Sequence, residues 1–169
     1  MDALLDEVET RVLGCLLEKE RTTPDLYPLT LNALQSACNQ KSSRNPVMDL
    51  STTQIEKALD SMRYEKHTVY QVTQAGSRVP KFKHNFEKVG TFSPADSAIL
   101  AVLMLRGPQT AAEIRTHSER LHHFDSRETV EALLEELRTS EAGPFVVQME
   151  REPGRRERRY MHLLNGLPP

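Results

Sequence analysis

Apolar positions along the chain fall into one succession twice: three stretches with helical spacing, then two that alternate. Val8, Val12, Leu13, Leu16 and Leu17 share one face of a helix predicted over residues 6–19. A second, short helix is predicted to open at Thr30, with Leu29 and Leu34 placed as a hydrophobic staple. The third opens at Ser51, where Ser51 and Gln54 have capping-box spacing and Leu50 and Ile55 staple spacing; its stripe is Ile55, Ala58, Leu59 and Met62. The period then drops to two. Residues 69–73 and 79–86 read as strands around Gln74-Ala75-Gly76-Ser77, with Phe82, His84 and Phe86 on one face and Lys81 and Lys83 on the other.

The second succession begins at Ser93-Pro94-Ala95-Asp96, a cap with proline at the first helical position, followed by Ile99, Val102 and Leu103. Thr110 and Glu113 form another capping box, and Ser126 opens a helix striped by Val130, Leu133, Leu134 and Leu137 that Gly143-Pro144 is predicted to stop. Phe145, Val147 and Met149 then alternate, Pro153-Gly154 marks a turn, and residues 160–164 return. Three helices and a hairpin, in that order, are how a winged helix-turn-helix reads along a chain. The expected fold is therefore α+β and mostly helical: two tandem winged helix-turn-helix domains, residues 1–88 and 89–169. Halves of this size sit near the lower limit for a self-sufficient core, and the connection over residues 87–92 is short, so a packed interface between them is expected.

Composition narrows the classes further. With 38% hydrophobic and 27% charged residues the chain is neither a disordered segment nor a membrane span, and its acidic start lacks the basic leader of a secretory signal, so a cytoplasmic protein is expected. Cys15 and Cys38 fall on or beside apolar faces, which predicts buried thiols rather than a disulfide. No phosphate-binding glycine loop, nucleophile elbow or nucleophile–base pair is visible, and no catalytic role or cofactor is expected. His122-His123, near His117 and Asp125, lack metal-ligand spacing and read as a helix end or loop. An aromatic share of 5% without tryptophan offers few stacking platforms for single-stranded nucleic acid.

Three long strings carry a resemblance: Arg11-Val12-Leu13-Gly14-Cys15-Leu16-Leu17-Glu18-Lys19, Thr22-Thr23-Pro24-Asp25-Leu26-Tyr27-Pro28-Leu29 and Ala37-Cys38-Asn39-Gln40-Lys41-Ser42-Ser43-Arg44-Asn45-Pro46-Val47-Met48. Together with Gly143-Pro144-Phe145-Val146-Val147 and Arg151-Glu152-Pro153-Gly154-Arg155-Arg156-Glu157-Arg158-Arg159-Tyr160-Met161-His162, they resemble the YceH family of bacterial proteins. The resemblance implies a tandem winged-helix fold of uncharacterised function.

Charge placement, not net charge, bears on function, because a formal net charge of −2 gives no overall attraction to phosphate. Residues 63–88 carry +4 from Arg63, Lys66, Arg78, Lys81, Lys83 and Lys88 against Glu65 and Glu87. Residues 150–159 carry +2, and residues 1–20 carry −4. The outward face of the third helix bears Thr53, Lys57, Asp60 and Tyr64, a mixed surface compatible with a major groove, whereas its counterpart bears Glu128, Glu135 and Thr139 with Glu131 and Glu136 beside them. The expected contacts to duplex DNA are Lys41 and Arg44 in the loop before the third helix, Thr52, Thr53 and Lys57 on it, Arg78, Lys81 and Lys83 in the first wing, and Arg155, Arg156 and Arg158 in the second. The alternative is a protein-docking module or homodimer, similar in plan to the bacterial segregation-and-condensation protein B; low net charge and the acidic sixth helix favour it.

Overall fold

Each helix begins on a side chain that serves the unpaired amides of its first turn. The computed structural model describes residues 4–169. Helix α1 (Glu7–Thr22) is capped by Asp6, which accepts from the Glu9 N–H at 2.8 Å while Glu9 Oε1 accepts from the Asp6 N–H at 2.9 Å. Thr30 caps α2 (Leu31–Cys38), and Ser51, in a box with Gln54, caps α3 (Thr52–Tyr64). Ser93 caps α4 (Pro94–Arg106), Thr110 with Glu113 caps α5 (Ala111–His117), and Ser126 caps α6 (Arg127–Thr139). A cap of this kind contributes about 1 kcal/mol.

The chain is α+β and mostly helical, with six helices and two small antiparallel sheets among the described residues. Strands β1 (Leu29–Thr30), β2 (Val69–Val72) and β3 (Lys81–His84) form the first sheet in the order β1-β3-β2; β4 (Val146–Gln148) and β5 (Tyr160–His162) form the second. The two-residue strand β1 was not expected. It has a counterpart: just before the Thr110 cap, Gln109 exchanges both backbone hydrogen bonds with Tyr160, at 3.1 and 2.7 Å. The plan repeats even at this level.

Element limits differ from expectation where tertiary contacts take over. Helix α1 continues to Thr22, and α6 stops at Thr139, ahead of Gly143-Pro144. The strand predicted over residues 79–86 is confined to β3, because Phe86 turns inward in a single 3-10 turn, Phe86–Lys88. The alternation predicted from Phe145 also breaks, since Phe145 and Val146 are both buried.

One hydrophobic cluster runs through both halves. Its axis is the crossing of α1 and α4: every residue from Ala98 to Leu105 is buried, as is every residue from Glu9 to Glu18. Gly14 is what allows the approach. A Cβ at this position would lie 2.9 Å from Leu105 Cδ2 and 3.2 Å from Met104 Cβ. The halves are further joined by stacked and edge-on rings, Phe86 to Phe92 at 4.7 Å and Phe92 to Phe145 at 4.8 Å. Backbone bonds add to this, from the Asn45 N–H to Leu105 O at 2.9 Å and from the Leu4 and Leu5 N–H groups to Leu164 O at 2.8 Å. No helix among the described residues is long and apolar enough to cross a membrane.

Substituting Gly14→Val tests the crossing. A helical glycine ordinarily costs up to about 1 kcal/mol of propensity; here overpacking outweighs that gain, and a net loss of about 1–3 kcal/mol is expected as a lower urea midpoint at unchanged slope.

Burial makes His162 a pH reporter: it is fully enclosed, Nδ1 accepts from the Leu164 N–H at 3.1 Å, and desolvation holds its pKa down to about 4 from an ordinary 6.5. Between pH 6.5 and about 4 the unfolded chain binds a proton that the folded chain refuses. Stability should therefore fall as pH drops through that window, by up to about 1.4 kcal/mol per pH unit, and His162→Gln should flatten the slope.

Candidate nucleic-acid interface

Helix α3 turns Ile55, Ala58, Leu59 and Met62 into the core, which leaves Thr53, Gln54, Glu56, Lys57, Asp60 and Tyr64 exposed and Thr52 half-buried at the capped end. One flank of that face looks onto the acidic start of α1. Lys57, Asp60 and Tyr64 line an open cavity of about 650 Å³ together with Asp6, Glu9 and Lys66. Within it Lys66 Nζ holds Glu9 at 2.5 Å; beside it the Arg63 guanidinium sits 4.6 Å above the Tyr64 ring. The Glu9 carboxyl, which burial alone would raise, is held below the ordinary range by Lys66 and the Asp6 amide.

The loop between α2 and α3 is latched rather than loose. Asn39 accepts from the Leu50 N–H at 2.7 Å and donates to Leu50 O at 2.9 Å, so the loop ends are clamped together. Arg44 corrects an expectation: it does not face solvent and is no phosphate contact. Its Nη2 and Nη1 donate to the two Glu18 oxygens at 2.7 and 3.1 Å, its Nε donates to Ala37 O at 3.0 Å, and its side chain is 0% exposed. Burial would raise the Glu18 pKa, and the Arg44 guanidinium more than offsets it, leaving the carboxyl below its usual value. A forked pair of this kind engages every strong donor direction of the arginine inward. Only Lys41 of the two loop cations is exposed. The same region encloses Cys15 and Cys38, both free and buried.

The sequence did carry a signal for Arg44. Arg11 and Glu18 are seven residues apart on α1, one above the other on a face that also holds Gly14 and Cys15. Charges placed inside an apolar face require partners, and an arginine in a polar loop is a ready one.

The hairpins present a further set of cations. In the first, Lys83 stands opposite Tyr70 with Nζ 5.6 Å from the ring centre, Lys81 is half-buried with Nζ 3.3 Å from Gln74 Oε1, and Arg78 is exposed beside the turn at Gly76. In the second, Arg155, Arg156 and Arg158 are all exposed. Glu152 draws in Arg159, with Arg155 more distant at 3.7 Å. Arg151, Arg156 and Arg158 line an open groove of about 410 Å³ whose lining also includes Glu131 and Glu157. Among the described residues, Lys41, Lys57, Arg78, Lys81, Lys83, Arg156 and Arg158 form no ion pair.

On α6 the balance is reversed. Glu128, Glu135 and Glu136 are exposed, Arg127 Nε pairs with Glu131 at 3.0 Å, and Arg138 pairs with Glu135. The histidines nearby have local partners: His117 Nδ1 lies 2.6 Å from Gln109 Oε1, His123 lies 2.8 Å from Glu119 Oε1, and the His122 ring packs at 4.8 Å on Phe124.

A repeated unit of three helices and a hairpin, with a cationic surface in each hairpin, is thus the class that fold and site define. The chain belongs to the family described as "Protein of unknown function, DUF480", whose model matches residues 5–155. It is 51% identical over 168 residues to a UPF0502 protein of Geobacter sulfurreducens, covering 99% of this chain and 75% of that one. It is also 54% identical over 164 residues to a UPF0502 protein of Dechloromonas aromatica, covering 97% and 76%. A third, from Cupriavidus necator, is 51% identical over 162 residues, covering 96% and 65%.

The two loop cations should separate cleanly in stability. Arg44→Ala strands Glu18 in the interior and is expected to cost about 3–5 kcal/mol, whereas Lys41→Ala should stay within about 0.5 kcal/mol of the parent in the same urea titration.

Proposed function

We propose that this protein binds duplex DNA in the manner of a transcription regulator, centred on the first helix-turn-helix and its wing, with the second wing as a backbone clamp. The observation that carries this reading is the distribution of unpaired cations. Lys41, Lys57, Arg78, Lys81 and Lys83 of the first half are without carboxylate partners among the described residues, and Arg156 and Arg158 of the second wing add to them. Unpaired surface cations release condensed counterions when they meet phosphate, which is the main source of sequence-independent affinity. The exposed hydroxyl of Thr53, the amide of Gln54 and the partly exposed Thr52 give the start of α3 groups able to read either backbone or base edges. The resemblance to the YceH proteins agrees with the repeated architecture and adds no target.

A second reading, a protein-docking module or homodimer, is favoured by one observation: the exposed face of α6 is a row of carboxylates that a nucleic acid would repel.

Titration of a random duplex at two salt concentrations decides between them. DNA binding should weaken steeply with salt, and Arg78→Ala/Lys81→Ala/Lys83→Ala should lower the slope of log K against log salt by about 2–3. Absence of binding at low salt, or a slope untouched by the triple substitution, sinks the assignment of the first wing.

A further inference from the structure

On the seam between the halves, beside the end of α1, a small cleft gathers positive charge. It measures about 30 Å³ and is lined by Glu18, Thr22 and Ser43 from the first half and by Arg106, His117 and Arg120 from the second. Arg106 and His117 are half-buried and Arg120 is exposed, so none of the three is sealed from solvent. Neither arginine has a carboxylate in ion-pair contact among the described residues. Glu18, the acid on this wall, is already engaged: both of its oxygens accept from Arg44, and Lys19 Nζ lies 3.3 Å from one of them.

The fold holds these cations in place by bonds that leave donors over. Arg106 and His117 each stand in the last turn of a helix, where the helix carbonyls ordinarily attract a cation, yet their side chains turn to Ser43 and Gln109 instead. Arg106 Nη2 donates to Ser43 Oγ at 3.1 Å across the seam, which leaves the Ser43 hydroxyl proton for another acceptor. His117 Nδ1 lies 2.6 Å from Gln109 Oε1, and Gln109 Nε2 donates to Val102 O and Gly107 O, so the amide keeps its oxygen toward the ring. Nδ1 therefore carries the proton, and Nε2 is the ring nitrogen left for a ligand. Burial, and then the Arg106 charge, hold the His117 pKa below its ordinary value against the pull of Glu113. Burial and the Arg44 charge weigh on Arg106 in the same way against the pull of Glu18. Like charges held together in this manner are relieved by an incoming anion.

We infer that this cleft binds a phosphate dianion, free or at the end of a small phosphomonoester, with Arg106, Arg120 and the imidazolium of His117 as its partners and the Ser43 hydroxyl as a further donor. Charge and size choose that class. Two guanidinium groups and an imidazole on one small cleft exceed what a single carboxylate or chloride answers, and the guanidinium fork matches phosphate oxygens. A cleft of about 30 Å³ has room for about two water-sized atoms, so two phosphate oxygens enter while the ester substituent stays at the mouth. A diester such as a DNA backbone carries one charge fewer and a second substituent to seat. Bound phosphate would tie Ser43, in the loop that leads into α3, to α4 and α5 of the other half. None of these partners is among the cations assigned to duplex DNA, so the site stands independently of that reading.

The test follows the His117 ring of the full chain by nuclear magnetic resonance as pH is varied, in inorganic phosphate and in sodium chloride of equal ionic strength. Phosphate should raise the His117 midpoint over its value in chloride by about one pH unit, because a neighbouring anion favours the charged ring, and the effect should saturate with phosphate concentration. Arg120→Gln, at an exposed position, should weaken phosphate binding at least about tenfold, equivalent to about 1.4 kcal/mol, and Arg106→Gln should do the same. Should the Arg106 variant fail to fold, the Arg120 variant decides alone. Dimethyl phosphate, a diester of single charge, should also bind at least about tenfold more weakly than phosphate. The inference is overturned if phosphate moves His117 no further than chloride, if Arg120→Gln responds like the parent, or if dimethyl phosphate binds as well as phosphate.

Discussion

Everything in this fold is arranged around the close crossing of α1 and α4 at Gly14. Because α4 is enclosed on all sides and α1 is enclosed along ten consecutive residues, α1 cannot turn its polar side chains to water. Each must be answered inside the protein. Glu9 reaches Lys66 beyond the end of α3, Glu18 reaches Arg44 in the loop between α2 and α3, and Arg11 reaches the carbonyls of Cys38 and Pro46 at either side of that loop. The burial of one helix thereby dictates where the next two elements lie.

This has a direct effect on the helix-turn-helix of the first half. The stretch from Asn39 to Asp49 is polar and supplies little apolar area to hold it. It is instead pinned at Arg44 by a forked ion pair, at Asn39 by two bonds to Leu50, and at Asn45 by a bond to the second half. A long insertion in such a turn would ordinarily leave the following helix poorly positioned. Here α3 is set by a charge network anchored in the core, and removing one of its buried members disturbs the helix through the loop rather than through its own contacts.

What the sequence disclosed and what it hid divide along the range of the interactions. The caps at Thr30, Ser51, Ser93, Thr110 and Ser126 were legible because each is made within three or four residues. The apolar stripe of α3 was legible for the same reason, as was the inward face of Phe82. Arg44 was misread because its partner lies 26 residues away, and a basic residue between two serines and an asparagine has every local mark of solvent exposure. The strand β1 escaped notice because two residues carry no alternation; it exists only through its pairing with Phe82 and Lys81. Alternation puts Phe145, Val147 and Met149 on one face, yet Val146 is buried beside Phe145 and opposes the buried His162, so both faces of β4 are covered where it enters the core.

The two halves have kept the same scaffold while dividing its surface chemistry. Helix α6 pairs its arginines with its own glutamates, and its exposed face keeps a surplus of carboxylates. Helix α3 leaves Lys57 unpaired, and the flank bearing Lys57, Asp60 and Tyr64 looks onto the acidic start of α1. The sharpest difference lies at the seam, where the first half contributes an arginine without a counter-charge and the second a histidine whose burial keeps it neutral at ordinary pH. Neither is simply replaced by an apolar residue, because Arg11 donates to the carbonyls of Cys38 and Pro46 and His162 accepts from the Leu164 N–H, and those backbone groups would be left without partners. Arg11 also grips Pro46, and hence the loop that carries Lys41 and leads into α3, so the guanidinium at the seam is also what fixes that loop to the core.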